Sequence, residues 1–350
     1  YMALNPPVEV PQGAIRLNTD SQKLEFYAQD QWWEMATDVP TLDGGVRGLF
    51  AGGYHPSPSP GTCTDTVDKI TISTTGNATD WCNLTAATMG GGNLADSTRA
   101  VYGGGKVSTT PGGSDTNEIQ FTTFATQGNY ADSSGNLSDS VMCSGLANST
   151  RGLFSGFINP YADTIEFITI QSIGNAIDFG NLTATRGYTM TCASRTRGFI
   201  IGGINNPSNP NINTIDYVEI ATTGNAQDFG DASGGKAAYE GTAFSNSTRG
   251  FTAGGYRGSY YGKIDVFTMA TGGNAILFGE LTAMNGTGKG GVSSPTRGVI
   301  AGGYYHPGTP FSDTMEYISL ATGGSAVDFG NLSFARRNPQ SGCSNGHGGL

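Results

Sequence analysis

The sequence predicts an all-β chain folded as a six-bladed propeller with four strands to a blade. Three observations lead there. The string TRGFIIGG (196–203) returns as VRGLFAGG (46–53), TRAVYGGG (98–105), TRGLFSGF (150–157), TRGFTAGG (248–255) and TRGVIAGG (296–303). Its arginines, Arg47, Arg99, Arg151, Arg197, Arg249 and Arg297, lie 46 to 52 residues apart, a period that suits one four-stranded blade per copy. Gly supplies 55 of 350 residues and charged side chains only 13%, about half their usual share, which argues for many tight turns around a large core. A hydrophobic content of 37%, with 15 Tyr and 17 Phe, is enough to offset the entropy of ordering such a chain.

Within each copy the signals keep one order. In the fourth, YTMTCAS (188–194) reads as a first strand and GFIIGG (198–203) as a second. After a Pro/Asn loop come a third strand, TIDYVEIA (214–221), the turn TTGN and a fourth strand, AQDFG (226–230). The Gly-Asn pair recurs as Gly76-Asn77, Gly128-Asn129, Gly174-Asn175, Gly224-Asn225 and Gly273-Asn274, which predicts a tight positive-φ hairpin turn. The first copy has no first strand before Arg47, since 38–45 reads DVPTLDGG. The C-terminal RNPQSGCSNGHGGL (337–350) is therefore expected to complete that blade and close the ring.

Double glycine after an inner strand, a period near 50 and an aromatic third strand resemble kelch repeats over Val46 to Leu350. The likeness is partial, because the fourth strand carries Phe179, Phe229, Phe278 and Phe329, and Trp only at Trp81. Residues 12–36, QGAIRLNTDSQKLEFYAQDQWWEMA, stand outside the period and read as a three-strand meander with Ile15, Leu17, Leu24, Phe26 and Trp32 or Trp33 alternating. This pattern resembles small modules of tailed-phage fibres and other virion appendages, and the TRG…GG…TIDY…GNA repeat resembles those of bacteriophage structural proteins. The resemblance implies an attachment module over 1–45, a propeller over 46–350, location on a virion, and contact with other virion proteins through residues 12–36.

Each copy also holds one acid at a matching place in its third strand: Asp68, Glu118, Glu166, Asp216, Asp265 and Glu316. Six arginines and six carboxylates in constant phase predict an ion pair within or between blades, so both sets are read as scaffold. Several apparent motifs dissolve in the repeat. DFG at Asp178, Asp228 and Asp328 lacks the rest of a kinase signature, and NGTGKGG (285–291) lacks the spacing of a phosphate loop. The Asn-x-Ser/Thr sites at Asn83, Asn136, Asn181 and Asn331 recur in phase and read as turns. The five cysteines have no CxxC pair and read as small buried thiols, with a Cys63–Cys82 bridge the alternative.

A net charge of −10 without a basic stripe excludes nucleic acid as partner, and no apolar run is long enough to insert in a membrane. The opening YMALNPPVEVPQG has no signal-peptide character. No metal or cofactor motif is present, and no nucleophile–base or paired-carboxylate pattern marks an enzyme. His55 and His306 share corresponding loops of neighbouring blades, with no carboxylate cluster beside them to complete a metal or catalytic site. Recognition is placed instead on the divergent loops after the second strands, where Tyr54, His55, Tyr256, Tyr260, Tyr261, Tyr304, Tyr305 and Phe311 cluster in blades five, six and one. The expected function is a non-enzymatic, tail-fibre-like protein binding a host surface glycan or protein. A purely structural virion protein and a polysaccharide-degrading enzyme are the alternatives, and homo-oligomerisation is left open.

Overall fold

A computed structural model of the chain describes residues 10–18, 23–34, 46–55, 61–107, 113–139, 142–158, 160–172, 174–205, 212–233, 240–256, 259–282, 286–305, 311–337 and 342–350. Contacts divide the chain into two units, Tyr1–Gly45 and Val46–Leu350.

The first unit contains a three-stranded antiparallel sheet of Ile15–Asn18, Lys23–Ala28 and Gln31–Glu34. Gln29 and Asp30, with φ of 52° and 60°, make the two-residue hairpin between the second and third strands. The register sets Ile15 opposite Phe26, Phe26 opposite Trp33, and Leu17 opposite Leu24, so five apolar side chains share one face. That face is open: Ile15 is 63% exposed and Leu17 60%. On the other face Arg16 and Asn18 both donate to Glu25 at 2.8 Å, and the Arg16 guanidinium lies 4.1 Å over the Trp32 ring.

The second unit is all-β, with no α-helix among its described residues. Its body is six antiparallel sheets of four strands each. Sheet II consists of Gly92–Ala95, Arg99–Gly103, Glu118–Thr123 and Ala131–Asn136, and sheet III of Met142–Ala147, Arg151–Ile158, Thr164–Thr169 and Ile177–Asn181. Sheet IV has Met190–Ala193, Arg197–Ile201, Thr214–Glu219 and Gln227–Asp231; sheet V has Thr242–Ser245, Arg249–Ala253, Lys263–Thr268 and Ile276–Glu280. Sheet VI has Gly290–Ser293, Arg297–Ala301, Thr314–Ser319 and Val327–Asn331. Sheet I takes its first strand from the C-terminal region: Cys343–Ser344 pairs with Arg47–Ala51, followed by Thr66–Thr71 and Thr79–Asn83. Cys343 opposes Leu49 and Ser344 opposes Gly48, so the strand missing before Arg47 is supplied some 300 residues later.

One set of bonds joins each sheet to the next. The Gly-Asn turn before a fourth strand reaches the fourth strand of the preceding sheet: Gly224 N donates to Phe179 O, Ala226 N to Asn181 O, and Asn225 Oδ1 accepts from Asn181 N. The same contacts join sheet I to sheet VI, through Gly76 N to Phe329 O, Ala78 N to Asn331 O and Asn77 Oδ1 from Asn331 N. The turn is therefore not uniformly left-handed as predicted. Gly76 and Gly273 have φ of 156° and 146° but Gly224 is not positive, because the recurring Asn is retained for its inter-sheet bond. Close approach also explains the glycine of DFG: a Cβ on Gly180 would stand 2.4 Å from Gly224 O, and one on Gly330 2.4 Å from Gly76 O.

The repeat arginines act at the same junctions. Arg99 donates to Ile170 O at 2.9 Å, Arg151 to Ile220 O at 3.0 Å and Arg197 to Met269 O at 3.3 Å. Arg47 reaches Phe124 O, Arg249 reaches Leu320 O, and Arg297 reaches back to Ile72 O at 3.0 Å. Each thus caps the carbonyl just beyond the third strand of the following sheet. Arg99, Arg151, Arg197 and Arg297 also lie over Phe121, Phe167, Tyr217 and Tyr317 of their own sheets, at 4.3 to 4.9 Å.

The predicted ion pairs between repeat arginines and repeat acids are not the pairs these sheets make. Register explains why: Arg197 opposes Glu219, while Asp216 opposes Ile200, three residues further along and on the other face. Arg197 pairs with Glu219 at 2.7 Å. The acids instead receive the Ser or Thr that follows the preceding sheet's fourth strand. Thr85 Oγ1 donates to Glu118 at 2.7 Å, Thr183 N and Oγ1 to Asp216 at 2.9 and 2.7 Å, and Ser333 N to Asp68 at 2.9 Å. Ser138 does the same for Glu166 and Thr282 for Glu316, and in sheet V the Tyr261 hydroxyl lies 3.0 Å from Asp265. Asp216 and Asp68 are wholly buried against Arg186 at 2.8 Å and Arg336 at 3.2 Å, cations outside the repeat set. Near Glu316 the buried cation is Lys289, its pKa pushed down to about 7 by burial that outweighs the attraction of the carboxylate.

The first strands pack against one another around a small cavity of about 50 Å³, and among the residues lining it one position recurs in every sheet: Cys343, Leu94, Leu146, Cys192, Phe244 and Val292. His347 lines the cavity too, with Nε2 2.7 Å from Ala95 O and Nδ1 accepting from Gly349 N at 3.0 Å. Arg195 Nε donates to Leu350 O at 2.8 Å, so the C-terminal segment is bonded to sheets II and IV beyond its own strand in sheet I. All five cysteines are buried free thiols, so Cys63 and Cys82 are not bridged. Burial pushes the Cys143 thiol up to about 12, which keeps it inert.

Candidate functional site

Five of the six second strands are followed by paired glycines whose φ values, 65° and 102° at Gly202 and Gly203, turn the chain out of the sheet. A side chain at Gly203 would also collide with Gly187 O, 2.5 Å from its Cβ. The loops that follow fold back on the segment leading into a first strand. Lys106 and Val107 pair with Met89 and Thr88, Tyr304 and Tyr305 with Thr287 and Gly286, Ile204 with Gly187, and Tyr54 with Arg337. Variable loops and first-strand approaches are thereby held together at one end of the sheets.

Five of the eight predicted recognition residues form two aromatic groups there. Phe311 joins Tyr54 and Tyr304 at 5.8 Å to each, and Tyr256 stands edge-on to Tyr260 at 5.3 Å. The groups are near neighbours: burial raises the Tyr260 pKa first, with Tyr304, Tyr256 and Glu240 adding to it. Tyr261 belongs to the scaffold, its hydroxyl held by Asp265. His55 stands edge-on to Phe334 at 5.1 Å and lines a shallow cleft with Thr62, Cys63 and Thr64. Tyr305 is placed by its backbone pairing with Gly286, and His306 lies outside the described residues. Among the described residues, no three His, Cys, Asp or Glu side chains gather as a metal site requires.

A further cleft at this end carries no signal of its own in the loop sequences. It measures about 480 Å³ and is walled by Lys106 and Asp115 of one loop, Ile158 at the end of the next second strand with Pro160 and Tyr161 of the loop after it, Met142 at the start of a first strand, and Met89, Tyr188 and Arg337 from first-strand approaches. Sequence reading passed over 106–115 because it lacks aromatic residues. Its walls come together only when loops of different sheets are juxtaposed. One signal was legible, the large Tyr188 where two other copies carry Gly90 and Gly288.

No protein-family model matches the sequence, and no curated protein is significantly similar to it.

Proposed function

We propose that the six sheets are the blades of a closed, six-bladed kelch-like propeller, and that the protein is a non-enzymatic bacteriophage virion appendage of the tail-fibre kind. It binds a host surface glycan or protein through its variable-loop end. Closure is supported by the junction bonds, which join sheet VI to sheet I as they join sheet III to sheet IV, and by the cavity to which all six first strands contribute the same position. The observation that carries recognition is the aromatic row of Tyr54, Phe311, Tyr304, Tyr260 and Tyr256, drawn from loops of sheets I, VI and V. Flat, conformationally restricted rings suit a sugar face or a protein hot spot. The open apolar face of the Ile15–Asn18, Lys23–Ala28 and Gln31–Glu34 sheet supports its assignment as the contact with other virion proteins.

The test is adsorption of the full chain to an array of bacterial surface polysaccharides and to isolated envelopes. Tyr54→Ser, Tyr256→Ser and Phe311→Ser combined are expected to weaken adsorption at least tenfold while Tm stays within a few degrees of the parent. Unchanged adsorption would remove the loop end as the recognition surface. Adsorption to phage particles alone would favour the purely structural role.

A further inference from the structure

The approaches to the first strands repeat one backbone feature, and two sheets use it differently. Two residues before the first strand the chain is left-handed, with φ of 72° at Gly90, 55° at Tyr188, 54° at Glu240 and 70° at Gly288. Glycine meets that conformation without steric penalty, whereas Tyr and Glu do not. Sheets IV and V therefore keep large side chains where the frame favours none. Backbone strain held at a cleft is a mark of function once it is observed rather than assumed.

Tyr188 lines the 480 Å³ cleft, whose volume is within the range of small-ligand sites, and Tyr161 lines it too. The lining holds two aromatic rings, apolar surface from Met89, Met142, Ile158 and Pro160, two cations, Lys106 and Arg337, and one carboxylate, Asp115. In a chain of net charge −10 that lining is positive by one. Glu240 stands within electrostatic reach of both Tyr161 and Tyr260, so the cleft and the aromatic row adjoin.

We propose that this cleft binds a saccharide residue carrying a carboxylate, of the hexuronate class, with neighbouring residues of the same chain lying along the aromatic row. The C–H face of the pyranose lies on Tyr188 and Tyr161, the carboxylate meets Lys106 and Arg337, and Asp115 accepts from ring hydroxyls. The inference rests on the glycan-binding reading of the loop end and names the sugar class for it.

Titration calorimetry with mannuronate and galacturonate oligosaccharides, against neutral malto-oligosaccharides as the control, tests it. Binding is expected for the uronate series, at least tenfold tighter than for neutral chains of equal length, and weakening with added salt. Lys106→Met should cost about tenfold. Tyr188→Gly should abolish measurable binding with Tm unchanged or raised, a combination that a structural role for Tyr188 would not produce. Equal affinity for neutral and acidic chains overturns the charge assignment. Uronate binding that survives both substitutions but is lost with Tyr54→Ser and Phe311→Ser overturns this cleft and leaves the loop-end reading intact. Adsorption to envelopes without binding of any uronate chain overturns the sugar class alone.

Discussion

The two ends of the six sheets obey different rules. At the turn end, the STRG and TTGNA segments are nearly identical because each carries half of an inter-sheet bond: an arginine for a carbonyl, or an Asn for an amide. At the loop end the backbone pairings of the variable loops themselves run within a loop or to the adjoining approach segment, so their sequences can differ. Where a residue's partner lies in the next copy, the copies must match. Where it lies nearby in the same copy, they diverge.

Several experiments can break or sharpen that contrast. The largest effect is expected from deleting residues 337–350, which removes the first strand of sheet I together with His347 and the bond to Arg195. The loss should abolish cooperative unfolding, and a truncated chain that melts like the parent in calorimetry would refute the closed topology. Asp216→Ala leaves Arg186 buried without its carboxylate and should cost about 3–5 kcal/mol in urea denaturation. Tyr261→Phe removes a donor from buried Asp265 and should cost about 1–3 kcal/mol, distinguishing it from its neighbour Tyr260. Arg197→Met loses a charge-assisted carbonyl bond and its stacking on Tyr217, for about 1–2 kcal/mol with adsorption unchanged. Lost adsorption at constant Tm would move recognition to the turn end.

The smallest effect is a pH dependence. Burial holds the His347 imidazole below its ordinary pKa of 6.5, and a proton on Nδ1 would displace the Gly349 N–H. The unfolded chain then binds the proton first, so this contribution is intact above pH 6.5 and falls away as the pH drops through that value toward the lower folded pKa. His347→Gln should flatten that part of the stability–pH curve.

Much of the scaffold was legible in the sequence. Arg197, Gly202-Gly203 and the TIDYVE strand occur in fixed order, and period alone places them. The boundaries read for the fourth copy fall within a few residues of Met190–Ala193, Arg197–Ile201, Thr214–Glu219 and Gln227–Asp231. The partner of the acids was not legible. Constant phase suggested the arginines, but a strand rises about 3.3 Å per residue, and the three-residue offset between Ile200 and Arg197 puts Asp216 about 10 Å from that end. The true partners, Thr183 and its equivalents, were already visible as the last residue of NLT and NLS, yet which sheet they face is a tertiary fact. At the loop end the aromatic row could be read from Tyr54, Tyr256 and Phe311, whereas the cleft of Lys106, Tyr161 and Tyr188 unites residues spread over 82 positions of the chain.

The glycine pressed against the next turn also bears on how such a chain grows by gene duplication. Each copy brings an acceptor strand, as at Gly180, and a donor turn, as at Gly224, so a duplicated unit fits beside any sibling without adjustment. The junction between sheets I and II departs from this. Cys82 occupies the glycine's place, Gly128 O is turned away to Thr122 Oγ1 at 2.9 Å, and Gln127 Nε2 donates to Trp81 O at 2.8 Å. A unit inserted at this seam would have to bring its own Gln127 equivalent to reach the Trp81 carbonyl, which the other copies do not carry.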